Sequence, residues 1–136
     1  MTGDVSAATI SMQHGWWYKV RGYGFHNATR ITGAFSAPTQ FKLKVGKPAA
    51  PAVKKASASK VSVTWKKVAN ATHYEIWYSR SKTSGYKKIK VTGDVKTAKV
   101  NRIKNTKVYY KVRGYTFVSG KRVNGSFSKP TAYTFK

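Results

Sequence analysis

The sequence predicts an all-β chain: an antiparallel two-sheet sandwich preceded by a three-stranded partial copy of the same unit. Three observations carry that prediction. Short runs alternate apolar and polar residues with a period of two, separated by turn residues. No stretch sustains a helical period. The sequence also repeats, because Tyr18-Lys19-Val20-Arg21-Gly22-Tyr23 recurs as Tyr110-Lys111-Val112-Arg113-Gly114-Tyr115. The match runs without a gap from Tyr18/Tyr110 to Lys44/Lys136, an offset of 92, with 14 identities in 27 paired positions. A repeat of that length is one of whole domains. Thr2-Gly3-Asp4-Val5 equals Thr92-Gly93-Asp94-Val95 at an offset of 90, so residues 1–44 correspond only to residues 91–136.

Taken in order, residues 1–44 form the truncated unit. Residues 45–52, Val-Gly-Lys-Pro-Ala-Ala-Pro-Ala, read as a short, semi-rigid linker. Residues 53–136 form the complete unit. Val61, Val63 and Trp65 alternate with Ser62 and Thr64, the pattern of a half-buried strand. Tyr74, Ile76 and Tyr78 alternate with Glu75, Trp77 and Ser79. Tyr86 and Ile89 flank a lysine pair after the Ser84-Gly85 turn, and Ala98 and Val100 mark the next strand. Val108, Tyr110 and Val112 then alternate with Tyr109, Lys111 and Arg113. Ser119-Gly120 is a two-residue hairpin signal, and Asn124-Gly125 suggests a bulge or second tight turn. The last strand runs between Phe127 and Phe135, where Pro130 argues for an edge position.

Seven short strands in about 90 residues suit a two-sheet sandwich. Here the residues carry a family likeness. Val61-Ser62-Val63-Thr64-Trp65 resembles strand B of a fibronectin type III-like domain, of the Lys- and Tyr-rich kind repeated in surface proteins of Gram-positive bacteria. Residues 71–78 resemble the approach to strand C and the strand itself, Gly85-Tyr86-Lys87-Lys88-Ile89 resembles C′, Tyr109 to Arg113 resembles F, and Gly125-Ser126-Phe127-Ser128 opens G. Two departures stand out. The Gly that often precedes the strand C tyrosine is missing. Tyr109 lies six residues after Ile103, where the family places its corner tyrosine, yet the alternation turns Tyr110 inward instead. The Arg-Gly pairs at 21–22 and 113–114 are followed by Tyr, so the integrin-type tripeptide of some related domains is absent.

By this mapping residues 1–44 hold strands E, F and G only, leaving an apolar face with Tyr18, Val20 and Phe35 unburied. A lone three-stranded sheet of that kind is marginal. The reading that follows is a fragment of a longer tandem array in which Met1 is not the true start. The two E–F–G halves are also rivals for one A–B–C–C′ half. In cis, seven residues from Lys44 to Pro51 span at most about 25 Å, too little to cross a rod-like domain. In trans, strand exchange would give a domain-swapped homo-oligomer.

Charge is the anomaly of the composition. There are 27 Lys and Arg against 3 acids in 136 residues, a formal net charge of +24. That excess opposes compaction and favours anionic partners. At 40% apolar and 14% aromatic the chain still has the means to pack a core. Cysteine is absent, which excludes disulfides and thiolate metal sites. No apolar run reaches membrane-spanning length, and no signal peptide is visible at the N-terminus.

The residues for catalysis are not arranged for it. Asp4 and Asp94 are repeat-equivalent turn residues beside Gly, and His14, His26 and His73 fall at different turns or strand ends with no metal-ligand spacing. Neither a G-x-S-x-G elbow nor a phosphate loop occurs. The expectation is a non-enzymatic chain without cofactor or metal.

The candidate ligand face lies on strands C and F. Alternation puts Trp77 outward on one and Tyr109, Lys111, Arg113 and Tyr115 outward on the other, with Lys87, Lys88, Lys121 and Arg122 as a rim. Aromatics interleaved with cations can stack on sugars or bases and attract phosphate. They can equally be cross-strand pairs covered by lysine stems. In the partial copy Trp17, Lys19, Arg21 and Tyr23 take the same places. The leading functional expectation is an extracellular or cell-surface spacer or adhesion module that associates electrostatically with an anionic cell-wall polymer or other polyanion, beside neighbouring repeats of a parent protein. The alternatives are carbohydrate recognition through Trp77 and Tyr109, and non-specific nucleic-acid binding by charge.

Overall fold

The structure, a computed structural model, describes residues 7–136, so the Thr2–Val5 match lies outside the described residues. The chain divides into two compact units, one ending at Leu43 and one spanning Lys44–Lys136.

Among its described residues the first unit contains four short strands, β1 (Trp17–Tyr18), β2 (Tyr23–His26), β3 (Thr29–Thr32) and β4 (Thr39–Gln40). β1 pairs β4 and β2 pairs β3, both antiparallel, so the unit is one long interrupted hairpin. The expected strand E is not formed, and residues 7–13 lie outside any strand. Its physical reason is pairing: a strand there has no neighbour within the unit to bond to.

The second unit has eight strands. β5 (Ala52–Lys55), β6 (Lys60–Thr64) and β9 (Thr97–Asn101) form one antiparallel sheet in the order β5-β6-β9. β7 (His73–Ser79), β8 (Lys87–Thr92), β10 (Lys107–Val118), β11 (Lys121–Asn124) and β12 (Thr131–Thr134) form the other. Its path is β11-β10-β7-β8, with β12 also on β10. β11 and β12 are two halves of one edge strand, interrupted around the expected Asn124-Gly125 irregularity. Across the break, Gly125 N–H donates to Gly114 O (2.9 Å) and Ser128 N–H to Val112 O (2.8 Å). The Val112 N–H, buried and left without a carbonyl, donates to Ser128 Oγ at 3.0 Å.

The core lies between the sheets. Val61, Val63, Trp65, Ala98 and Val100 come from the first sheet, and Tyr74, Ile76, Val108, Tyr110 and Val112 from the second, closed at one end by Phe135. Apart from Phe135, these are the residues the period-two alternation placed inward. Each fully buried large side chain contributes about 1.5–3 kcal/mol. Tyr110 does point inward, and burial pushes its phenol up.

The stretch 45–52, expected as a linker, is instead laid along the second unit. Val45, Pro48 and Pro51 are buried. Gly46 N–H donates to Ala69 O (2.9 Å), and Pro51 O accepts from Thr131 Oγ1 (2.6 Å). The prolines that suggested a linker fix an extended path that needs few ladder bonds, and Ala52 already belongs to β5.

The two hairpins share one register. Tyr18 faces Thr39 as Tyr110 faces Thr131, and Phe25 faces Arg30 as Phe117 faces Arg122. The glycine and serine bridges recur too: Gly33 N–H to Gly22 O (2.9 Å), Ser36 N–H to Val20 O (2.7 Å), and Val20 N–H to Ser36 Oγ (3.0 Å). What differs is the surroundings. A Cβ on Gly114 would lie 2.7 Å from Ala71 Cβ and 3.3 Å from Tyr74 Cε1, whereas one on Gly22 would meet nothing within 4 Å. Gly114→Ala is therefore expected to destabilise the second unit by about 1–3 kcal/mol in urea unfolding. Gly22→Ala should leave amide exchange in the β2–β3 hairpin unchanged to within about 0.5 kcal/mol.

Candidate functional site

The outer face of the β8-β7-β10 sheet carries the residues singled out in the sequence. Register places Lys111 opposite Trp77, Arg113 opposite Glu75 and Tyr115 opposite His73. The side chains on this face cover one another. Lys111 Nζ sits 3.9 Å from the Tyr86 ring centre and 4.1 Å from that of Phe127. Burial, with the Arg113 charge behind it, pulls the Lys111 ammonium down from its ordinary range. Arg113 lies over the other side of this row, 4.5 Å from Phe127 and 5.9 Å from Trp77. Trp77 meets Phe127 edge-on, and its indole N–H is buried without a hydrogen-bond partner.

A second stack lies further along β10. Tyr115 is held between the Arg122 guanidinium, 3.7 Å from its ring centre, and the parallel His73 ring at 5.1 Å. Sequence alternation made Tyr115 an exposed member of the face. It points to the predicted side, but is only 4% exposed because Arg122 and His73 close over it. Phe117, two residues on, is the exposed aromatic. Tyr109 is half-buried, while Lys87, Lys88 and Lys121 are exposed at the margins.

Glu75 is the residue the sequence reading passed over. Its parity put it on the outer face, yet it is 0% exposed. Arg113 Nε donates to its Oε1. Arg122 Nη2 reaches Oε2 at 2.9 Å, an ion-pair contact outside hydrogen-bond geometry, and Lys88 Nζ is 4.0 Å from the same oxygen. Burial alone would push this carboxyl up, but Arg122 and Arg113 together outweigh it and hold it below the usual carboxylate range. The signal was present in the alternation: Glu75 on strand C and Arg113 on strand F share parity and neighbouring strands.

Three of the expected ligand-face cations are thus engaged by Glu75, Arg113 and Arg122 closely and Lys88 at 4.0 Å. The other sheet presents a different surface. Lys54, Ser62 and Lys99 lie in one cross-strand row, with Lys60 and Asn101 in the next, all opposite in parity to the buried Val61, Val63, Ala98 and Val100. Ser62, Thr64 and Thr97 hydroxyls interlink at 3.0–3.2 Å. Lys60 bonds Asn101 Oδ1 at 2.6 Å. Among the described residues the side-chain ion pairs involve only Glu75 and Asp94, so no carboxylate pairs with a lysine of this face. Also among the described residues, no group of three His, Asp or Glu side chains could hold a metal. Among the described residues no helix is long and apolar enough to cross a membrane.

No family model and no curated protein matches the sequence. Solved structures match in shape. A fibronectin type III domain derived from human KIAA0970 protein superposes with a TM-score of 0.52 at 20% identity, over 64% of this chain and 71% of that one. The sixth fibronectin type III domain of human fibronectin type III domain containing protein 3 gives 0.54 at 17% identity, over 70% and 89%. The chicken CNTN1 FN1–FN3 structure gives 0.54 at 24% identity, over 92% of this chain and 43% of that one, so the chain spans under half its length. At these identities the likeness concerns the fold. The chain is all-β, with a fibronectin type III-like sandwich.

The Glu75 cluster has a pH signature. Its carboxyl is held down in the folded state, so the cluster contributes stability above the ordinary glutamate pKa of about 4.3, and loses it as pH falls through the lower folded-state value. Glu75→Gln should cost about 2 kcal/mol at neutral pH and flatten the acid limb of stability against pH, measured by urea unfolding of the second unit between neutral pH and pH 3. An unchanged acid limb would assign acid unfolding to other groups.

Proposed function

We propose that this chain is part of a non-catalytic extracellular module that holds anionic polymers at the cell surface, and that the outer face of the β5-β6-β9 sheet makes the main contact. The observation that carries this reading is the unpaired lysine row around interlinked hydroxyls. Lys54 and Lys99 flank Ser62 across three strands, a separation of about 10 Å by strand spacing. Such a face suits an extended chain of phosphate or sulfate groups. It offers no exposed aromatic platform, so recognition is by charge and hydroxyl bonding rather than stacking. In this reading the first unit is the end of a preceding copy in a tandem array, which the shared hairpin register supports.

The face expected from sequence, around Trp77, Tyr109, Lys111, Arg113 and Tyr115, contributes less in this proposal. Its guanidiniums already neutralise Glu75, and its rings are stacked against side chains of the same domain. Lys87, Lys88 and Lys121 add general positive potential.

Heparin and inorganic polyphosphate serve as probes. Binding of both should fall steeply as salt rises from low to physiological concentration. The triple variant Lys54→Gln/Lys60→Gln/Lys99→Gln should weaken binding about tenfold at low salt, as expected when several anion contacts are lost together. Lys87→Gln/Lys88→Gln/Lys121→Gln removes the same charge and should have a smaller effect. Equal losses would mean diffuse attraction by net charge. Salt-tolerant glycan binding lost in Trp77→Ala would favour a carbohydrate module instead.

A further inference from the structure

Strand β7 ends at Ser79, and the chain turns back to enter β8 at Lys87. The turn between them is rich in hydroxyls, Ser79-Arg80-Ser81-Lys82-Thr83-Ser84-Gly85-Tyr86. Its shape is fixed by its own side chains. Ser79 Oγ, on a residue only 4% exposed, accepts from the Ser81 N–H at 3.0 Å and donates to Ser84 O at 2.5 Å. Ser84 Oγ donates to Ser81 Oγ (3.2 Å), and the Tyr86 hydroxyl donates to Lys82 O (2.9 Å). Gly85 closes the turn at a φ of 68°, where a side chain would be strained. A turn held in this way presents its groups to a ligand without first having to be ordered.

The turn walls a cavity of about 570 Å³, within the range of small-molecule sites. Tyr78 and Ile103, both half-buried and packed against the core, are its apolar lining. Arg80, Ser81 and Lys87 are its exposed polar lining. Register explains why Lys87 is there. It pairs with Tyr78 across β7 and β8, so the two side chains share the inner side of the sheet. Glu75 lies on the outer side, and no carboxylate lines the cavity. Neither Arg80 nor Lys87 makes an ion pair among the described residues. Two cations without counter-charge converge on one concave site, which concentrates positive potential there.

We propose that this cavity binds a sugar carrying a phosphate or sulfate group. Arg80 and Lys87 hold the oxyanion, the guanidinium as a planar fork and the ammonium as a point charge. The Ser81 hydroxyl accepts from Ser84 and keeps its own proton to donate to a ligand oxygen. Tyr78 and Ile103 meet the apolar face of the sugar ring. The polar lining is cation and hydroxyl, which matches a ligand that is itself hydroxyl-rich and anionic. This site goes beyond the lysine row of the β5-β6-β9 sheet. It lies at the β7–β8 turn of the other sheet, and it takes one anionic unit where the row takes a length of polymer.

The test titrates the full chain with glucose 6-phosphate and follows amide NMR shifts. The shifts should saturate and map to residues 79–87 and Ile103, and glucose 6-sulfate should reproduce them. Arg80→Gln/Lys87→Gln should weaken binding about tenfold, as expected when charge-assisted bonds are lost. Lys66→Gln/Lys129→Gln removes the same charge from exposed lysines elsewhere and should change it by no more than about twofold. Inorganic phosphate lacks the ring and should bind about fivefold more weakly. An unchanged spectrum outside the turn reports that each variant is folded. Absence of saturable shifts, or equal losses in the two double variants, would overturn the proposal. So would phosphate binding as tightly as the sugar phosphate, which would leave an anion site with no sugar specificity, or tighter binding of AMP, which would assign the cavity to a nucleotide. Failure here leaves the polymer reading standing, since that reading is scored with heparin on Lys54, Lys60 and Lys99.

Discussion

The seam between β7 and β10 is the constraint on which the second unit depends. A β-strand must satisfy two edges and two faces, and this seam settles one edge and both faces of β10, with β11 and β12 on the other edge. On the inner face, Ile76 meets Val112 in the core. On the outer face, Glu75 meets Arg113, and Arg122 closes over both Glu75 and Tyr115. Glu75 is therefore a carboxylate taken out of water on the side of a sheet that usually faces water. Burial of that kind is tolerated only with charges close enough to offset desolvation. Its partners are themselves 22% and 32% exposed, so they remain partly hydrated and their own desolvation is modest.

The first unit serves as an internal comparison for that seam. It keeps the hairpin register, the serine that bonds the valine N–H, and the stacked Arg–aromatic contacts. Local sequence is thus enough to form the hairpin. It is not enough to bury Val20, whose exposure of 74% against 0% for Val112 measures what the missing neighbours supply. A valine fully withdrawn from water is worth about 1.5 kcal/mol or more, and a smaller loss recurs at Phe35 and Ile31, which are exposed where Phe127 and Val123 are half-buried. The turn adds a local difference. Ser119 and Gly120 both take positive φ, and the first unit places Asn27 and Ala28 there, so Ala28 carries a Cβ in a conformation that glycine adopts freely, at about 1 kcal/mol.

Much of the fold was legible because the signal was local and periodic. Val61/Val63, Tyr74/Ile76 and Val108/Tyr110/Val112 alternate cleanly, and each pair or triplet is in the core. Strand alternation also gave the correct parity for Trp77, Lys111, Arg113 and Tyr115. What it could not give was depth. Parity names a face, and burial depends on which long side chains fold back across it. Tyr115 is hidden by Arg122 from the neighbouring strand, as Lys111 is capped by Phe127, and nothing in either residue's own surroundings announces that closure. The 45–52 stretch misled for a different reason. Pro-rich composition is shared by linkers and by edge segments that run extended without donating ladder bonds, and only the Thr131 and Ala69 contacts distinguish them.

Placement of the scarce acids decides where the positive charge is available. With three carboxylates for 27 cations, most lysines have no partner. The buried acid is spent on two arginines whose planar forks suit a shared carboxylate. That choice leaves the compact, strongly hydrated ammonium groups of Lys54, Lys60 and Lys99 outside, on a sheet face whose centre is hydroxyl rather than aromatic. Lys54 and Lys99 lie about 10 Å apart with Ser62 between them, so their mutual repulsion is weak, and Lys60 faces Asn101 rather than another cation. The same arithmetic applies to the first unit in a sharper form. Arg21 and Arg30 repeat the clamp and lack the carboxylate among the described residues, so the positive potential there sits beside an open strand edge and an uncovered valine. Positive charge and apolar surface thus meet on one short run of backbone, where the second unit has a buried carboxylate and a closed core.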